Sequence, residues 1–313
     1  MTERNILLVV HTRRAEALAA AQLVCEQLIL AGVTPVMTGL ELKEARDYSA
    51  QQVLAQDAFE SVKELGVHCT IKELELAMVL GGDGTILKAA EIVRDAATPL
   101  VGINLGHVGF LAESERDALG DVLKRVLDLD YQLHELMALE VTVFVDGEQE
   151  YSTWALNEAT VEKSERERML EVVVEVEGRP LSSFGCDGMV VSTPTGSTAY
   201  AFSAGGPVIW PSVEALLVVP LSAHALFSRP LVVNPGSLVA VEVLKRSSGN
   251  GVLWCDGRRT RALPPGARVE VRRSPKPVTL ARLHEGTFTD RLVRKFDLPV
   301  AGWRGPESDG PQA

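Results

Sequence analysis

Leu76-Ala-Met-Val-Leu80, then Gly81-Gly-Asp-Gly-Thr85, then the stretch Ile86 to Ala97 decide the fold. A short apolar run, a glycine-rich turn and a helical pattern make one strand–turn–helix unit. The pattern repeats on both sides. Asn5-Ile-Leu-Leu-Val-Val10 precedes an Ala/Leu-rich stretch from Ala15 to Leu30. Pro99-Leu-Val-Gly-Ile-Asn104 reads as a further buried strand. Ser114 to Leu127 reads as an amphipathic helix opened by Ser114, with Asp117 three residues later. Together these predict βαβ units and an open α/β domain with a Rossmann-like parallel sheet, ending near residue 135.

From Glu140 the period changes to two. Glu140-Val-Thr-Val-Phe-Val145, Glu171-Val-Val-Val-Glu-Val176, Val239-Ala-Val-Glu-Val243 and Arg268-Val-Glu-Val-Arg272 alternate as half-buried strands do. Turn signals stand between them at Asp146-Gly147, Glu177-Gly178, Asn250-Gly251 and Pro264-Pro265-Gly266. The expectation is an all-β second domain. Gly305 to Ala313 is polar and rich in Pro and Gly, the composition of a disordered tail.

Composition narrows the partners. The 313 residues are 46% hydrophobic and 23% charged, with net charge −11, and the basic residues are scattered. That excludes the basic face of a nucleic-acid binder. Anionic small ligands stay open, since backbone N–H groups and one or two local cations hold phosphate without net positive charge. Cys25, Cys69, Cys186 and Cys255 form no CxxC pair, and no histidine stands at ligand spacing beside them, so neither a fixed metal cage nor a disulfide framework is expected. Ile6 to Val10 is too short for a signal-peptide core, and the run near Leu216 to Leu221 falls far below the roughly 18 residues of a membrane span. A cytoplasmic, reduced protein with no membrane partner is expected.

The chemistry concentrates in a few places. In Gly81-Gly-Asp-Gly-Thr85 the glycines let the backbone turn sharply and approach an anion, and a helix whose first turn begins at about Thr85 turns its N–H groups toward phosphate. Asp83 sits at the mouth, where a carboxylate can take a proton from an attacking hydroxyl or hold Mg²⁺ through water. The same residues also suit a plain turn capped by Thr85 or Asp83. Leu105-Gly-His-Val-Gly-Phe-Leu111 is a second glycine loop after a strand end, where open α/β sheets place ligands. Phe110 fits either an apolar ring of a ligand or the core. In Gly185 to Ser203, Thr195, Ser197, Thr198 and Ser203 offer partners for ribose and amide groups, and Tyr200 offers an aromatic face. A Ser/Thr turn capping a short helix fits that run equally well. Asn157-Glu158 supplies an amide and a carboxylate suited to a diol.

Other residues take plainer readings. His11, Arg13 and Arg14 follow the first strand and suit donor phosphates or a solvated loop. His224 suits a pocket, an interface or a structural role. Arg166 and Arg168 lie among acids on an exposed face, and Trp154, Trp210, Trp254 and Trp303 suit core or interface.

Taken together, Gly81-Gly-Asp-Gly-Thr85, Asn157-Glu158 and Thr193-Pro-Thr-Gly-Ser-Thr-Ala-Tyr200, in this order, resemble the NAD kinase family, with the actinobacterial members most alike. Leu105 to Phe110 and Phe288-Thr-Asp-Arg-Leu-Val-Arg-Lys-Phe296 agree with it. The resemblance implies an α/β domain over 1–135, a sandwich-like NAD-binding domain over 136–285, and a segment from 286 to 313 that returns to the first domain, with NAD between the two domains. It implies ATP or inorganic polyphosphate as donor, Mg²⁺ or another divalent metal accompanying it, and a homodimer or homotetramer. Asp83 would be the general base on the 2′-hydroxyl of the adenosine ribose, and Gly81, Gly82, Gly84 and Thr85 would shape the phosphate site. Asn157 and Glu158 would bind NAD, and Asp187, Thr195, Thr198, Ala199, Tyr200 and Ser203 would line its pocket. Gly81 to Thr85 also occurs in lipid kinases, but the hydroxyl-rich run suits a nucleotide better than an acyl chain. A non-catalytic NAD(P) sensor would have no need of Asp83.

Overall fold

The computed structural model describes residues 3–52, 58–105, 109–112, 114–115, 119–166, 168–283 and 287–300. The chain forms two units, one of residues 1–134 with the chain from 279 onward and one of residues 135–278.

The first unit runs β1 (Asn5–Val10), α1 (Ala15–Leu30), β2 (Thr34–Met37), α2 (Gly39–Gln52), β3 (Lys63–Glu64), β4 (Leu74–Leu80), α3 (Asp83–Val93), β5 (Leu100–Asn104), β6 (Ser114–Glu115), α4 (Leu119–Leu127) and β7 (Gln132–Leu136). The central strands pair in parallel, with Val10 opposite Leu80 and Leu80 opposite Ile103. Their carboxyl ends therefore stop at one level, and the segments beginning at His11, Gly81 and Leu105 leave from the same sheet edge. The pairing runs one step further, because His11 N–H donates to the Leu80 carbonyl and Gly81 N–H to that of Ile103. β1 and β5 are buried along their whole length and β4 nearly so, as strands covered on both faces must be.

Two local expectations are corrected. α3 begins at Asp83, not near Thr85, with extended Gly82 as its N-cap. The turn is tighter than expected because Gly81 packs directly on the Thr85 side chain, where a Cβ would not fit. The helix expected from Ser114 begins at Leu119. Its buried stripe, Leu119, Val122, Leu123 and Val126, starts only there, while Ser114 and Glu115 pair in parallel with Ile103 and Asn104. Asp117 lies outside the described residues, as do Gly106 to Val108 of the second glycine loop, Trp303 and the expected tail.

The second unit contains β8 (Leu139–Val145), β9 (Glu148–Ala155), β10 (Glu158–Lys163), β11 (Leu170–Val176), β12 (Arg179–Cys186), β13 (Gly188–Ser192), α5 (Tyr200–Ser203), β14 (Leu216–Leu221), β15 (Leu231–Val233), β16 (Val239–Val243), β17 (Gly251–Cys255), β18 (Arg259–Leu263) and β19 (Arg268–Arg273). They make two six-stranded sheets, ordered β15-β14-β13-β10-β17-β18 and β12-β11-β16-β19-β8-β9. Alternate residues of both, among them Val141, Val172 and Val241 from one and Val161, Val191 and Leu253 from the other, share a single core. This is the sandwich that period-two patterning predicts. Asp146-Gly147 and Glu177-Gly178 take the left-handed conformation that tight hairpins require.

The chain then re-enters the first sheet as β20 (Val278–Arg282), between β5 and β7, followed by α6 (Phe288–Phe296). The return comes earlier than residue 286 because Val278, Leu280 and Ala281 are apolar in a short run that sequence alone cannot distinguish from the strands before it. Among the described residues no helix is long and apolar enough to cross a membrane.

Candidate functional site

In the first unit the sheet edge presents Gly81 to Thr85. Asp83, in the first turn of α3, accepts hydrogen bonds from the backbone N–H groups of Phe110 (3.0 Å) and Leu111 (3.1 Å). Gly109 lies so close to this carboxylate that a Cβ there would overlap it. Asp83 thus ties the first glycine loop to the end of the second, and its two oxygens are each oriented by one amide. Gly82 and Gly84 leave open space on their Cβ sides, so an anion can approach this backbone. Thr85 is buried and packs under Gly81. Phe110 presents its ring to Phe288 and Phe296 of α6, at centroid distances of 5.9 and 6.0 Å, and its carbonyl accepts from Arg291. Its side chain therefore docks the last helix. His11 is half-buried at the end of β1, and Arg13 is exposed beyond it.

In the second unit the site is built where β9 passes into β10. The Asn157 carbonyl accepts from Thr193 N–H (2.9 Å) and from the hydroxyls of Ser192 (3.1 Å) and Thr193 (3.3 Å). Gly196 is pressed against the same carbonyl and has no room for a Cβ. Glu158 is buried, its carboxyl accepts from the Tyr200 backbone N–H, and its Oε2 has no hydrogen-bond partner. Burial, and secondly the negative charge of Asp256, push this carboxyl up to about 8. The hydroxyl-rich run folds as a 3₁₀ turn, Thr195–Thr198, followed by α5. Several of its hydroxyls are spent internally. Ser197 donates to the Pro194 carbonyl (2.6 Å) and Thr198 to that of Thr195 (3.2 Å). Thr195 and Ala199 are half-buried, while Tyr200 and Ser203 are exposed.

Asp187 stands at the opposite end of the β10–β13 pair from Asn157 and Glu158. It forms an ion pair with Lys163 (2.5 Å), which holds its carboxyl below the ordinary value, with Ser222 and His224 adding to the effect. His224 is joined to Gly185 by a backbone hydrogen bond of 2.8 Å. Of the tryptophans, Trp154 is half-buried under Arg259, whereas Trp210 and Trp254 are exposed. Arg168 pairs with Glu165 on the surface.

Sequence reading missed three groups. Glu41, fully buried, accepts from Val10 N–H (3.1 Å), Thr38 (2.7 Å) and Lys88 (2.8 Å), at the same sheet edge as Asp83. The T-x-x-E spacing of Thr38 and Glu41 was the available signal. Lys163 carried no motif. Asp256 belongs to an Asp-Gly turn, a pattern that normally announces a solvent-facing hairpin, yet its carboxylate points inward.

An α/β unit with an oriented carboxylate in a glycine-rich strand–helix turn, joined in one chain to an antiparallel sandwich with a hydroxyl-rich loop, is the arrangement expected of a two-domain kinase carrying GGDGT. Comparison with known proteins narrows the class. Residues 6–131 match the model of the ATP-NAD kinase N-terminal domain, and residues 156–283 that of the ATP-NAD kinase C-terminal domain. The NAD kinase of Leifsonia xyli subsp. xyli is 63% identical over 305 residues, 97% of this chain and 98% of the relative. That of Thermobifida fusca is 57% identical over 308 residues, 97% and 92% of the two chains. Yeast NADH kinase complexed with NADH superposes with a TM-score of 0.83 at 20% identity, covering 96% of this chain and 89% of that one. An NAD kinase from Archaeoglobus fulgidus in complex with ATP gives 0.67 at 20% identity, covering 95% and 100%. These two structures share the fold. The chain belongs to the NAD kinase family, and its function is that of an NAD kinase.

Proposed function

We propose that this chain moves the terminal phosphoryl group of ATP to the 2′-hydroxyl of the adenosine ribose of NAD, with Asp83 as general base, giving NADP and ADP. The observation that carries this reading is the Asp83 carboxylate, oriented by the Phe110 and Leu111 amides in the first turn of α3. A ribose hydroxyl is a poor nucleophile, so the enzyme must orient it and take its proton as the new O–P bond forms and the bond to ADP breaks. Gly81, Gly82, Gly84 and Thr85 form the turn at which donor phosphates meet backbone N–H groups.

Asn157 and Glu158 grip NAD in the sandwich, the carboxylate accepting from a ribose diol. Asp187 sits at the other end of β10, five residue steps and roughly 16 Å away at the rise of a strand. Polar groups at two such separated points suit a dinucleotide, and Thr195, Thr198, Ala199, Tyr200 and Ser203 follow Asp187 in the chain and line the same pocket on this reading. Among the described residues no three acidic, histidine or cysteine side chains converge as a metal cage. The residues fit Mg²⁺ brought in on the donor phosphates, with Asp83 as the nearby carboxylate of the turn. Bound there it neutralises phosphate charge. Inorganic polyphosphate presents the same phosphate chain to the same turn and is the second donor to try. Assembly as a homodimer or homotetramer belongs to the same reading, and light scattering tests it.

The test is NADP formation from NAD with Mg²⁺, with ATP and polyphosphate in parallel, read through an NADP-specific dehydrogenase. Product from the native enzyme and a loss of roughly 10²-fold or more in Asp83→Asn, with NAD still bound, supports the assignment. Near-normal turnover in that variant removes Asp83 as the base.

A further inference from the structure

Asp256 follows β17, and it and Gly257 both have positive φ, +54° and +62°. An aspartate in such a turn ordinarily faces water. Here it is 7% exposed, and its carboxylate accepts from Leu156 N–H (2.9 and 3.0 Å), from Asn157 N–H (2.7 Å) and from Arg259 (2.8 Å). Its own N–H donates to the Glu158 carbonyl (3.0 Å). One residue thus fixes the backbone of Leu156, Asn157 and Glu158 in succession. Arg259 completes the clamp, since it also donates to the Trp154 carbonyl (2.8 Å) and stacks over the Trp154 ring at 4.5 Å. The Leu156 amide is buried, and without the carboxylate it would be left unpaired.

We propose that Asp256 is a positioning residue for NAD binding, holding the Asn157-Glu158 pair in its gripping geometry. The inference rests on the reading of Asn157 and Glu158 as the NAD grip. Hydrogen bonding explains the role: a strand end that carries two buried or half-buried amides is oriented most strongly by a charged acceptor. The backbone bond from Asp256 to Glu158 also brings two buried acids together, and each disfavours the ionised form of the other. The groups that bear on Glu158 are Asp256 and Glu162, which oppose its ionisation, and the Tyr200 N–H, which favours it. The Tyr200 phenol and the Cys255 thiol also feel its charge. Arg259 favours the ionised form of Asp256.

Asp256→Asn keeps the shape and removes the charge, and Arg259→Gln removes the cation that completes the clamp. Each is compared with the native enzyme and with Glu158→Gln by steady-state kinetics and by NAD titration between pH 6 and 9, with near-ultraviolet circular dichroism confirming the fold. In Asp256→Asn the KM for NAD is expected to rise about tenfold or more, with a loss of only about threefold in kcat. The pH midpoint of NAD affinity moves down in Asp256→Asn, since a charge that opposes ionisation of Glu158 is gone. Merely loosened folding would leave the midpoint in place, and an unmoved midpoint overturns the inference. So does a native KM and pH midpoint in Asp256→Asn while Glu158→Gln weakens NAD. If Glu158→Gln itself binds NAD normally, the underlying reading of the grip fails instead.

Discussion

Asp83 in the α/β unit and Glu158 in the sandwich are both carboxylates beside a turn, and their surroundings are opposite. Asp83 is half-exposed at a helix start with a backbone amide on each oxygen. Glu158 is buried beside a second buried acid, with one oxygen unpartnered. On the proposed reading, the first arrangement orients a group that must stay accessible to a reacting hydroxyl. The second keeps in reserve an acceptor whose ionised form the protein alone supports poorly, so a ligand that donates to it gains more than it would from a solvated carboxylate. In that reading, the preoriented acid serves chemistry and the buried one serves grip.

The largest expected effect tests the second half of that contrast. Unfolded, Glu158 titrates near 4.5, and folded it is pushed up to about 8. Between those values the unfolded chain has released a proton that the folded chain keeps, so stability falls as pH rises from about 4.5 to about 8, by up to about 1.4 kcal/mol per pH unit. Asp256, whose carboxyl burial also raises, acts in the same sense. Glu158→Gln should flatten most of that slope. The melting midpoint against pH, followed by tryptophan fluorescence from Trp154, Trp210 and Trp254 in the sandwich, is the measurement. A native profile that is flat across this window would break the comparison.

Asp83→Asn comes next and tests the first half. A turnover loss of about 10²-fold corresponds to roughly 2.7 kcal/mol of barrier. The substitution should lower stability by no more than about 1–3 kcal/mol, because the amide oxygen can still accept one of the two backbone bonds while the other N–H loses its acceptor. Gly196→Ala is expected to cost about 1–3 kcal/mol of stability, since the new Cβ overlaps the Asn157 carbonyl and also meets Ser192 Oγ at 2.6 Å. It should weaken NAD binding in proportion, read by calorimetric titration. Native affinity in that variant would detach the Thr193 to Tyr200 loop from the grip.

Legibility in the sequence followed how local each signal was. The apolar run before Gly81, the period-two strands and the turns at Asp146-Gly147 and Glu177-Gly178 encode their structure within a few residues, and the structure shows them. Asn157-Glu158 and the Thr193 to Tyr200 run were visible as polar clusters, and they are hydrogen-bonded together. What was hidden depends on long-range closure. Asp256 reaches Leu156 across 100 residues, and its own dipeptide argues for the surface. Glu41 is neutralised by Lys88 from 47 residues away. The entry of β20 into the first sheet depends on which strand edge is open, and a five-residue apolar run carries no record of that.

The smallest effect separates the two things Phe110 does. Its backbone N–H orients Asp83, while its ring packs on Phe288 and Phe296 of α6. Phe110→Leu keeps the amide and an apolar side chain but loses both ring contacts. Stability should fall by about 1 kcal/mol, the scale of one aromatic pair, and turnover should drop far less than in Asp83→Asn. Were turnover to collapse while the melting midpoint held, the ring would be acting on the substrate and the Asp83 clamp would need more than backbone to form. A lowered midpoint with turnover retained would instead show that the second glycine loop serves the base through its main chain alone, with its aromatic residue left to anchor the returning C-terminal helix.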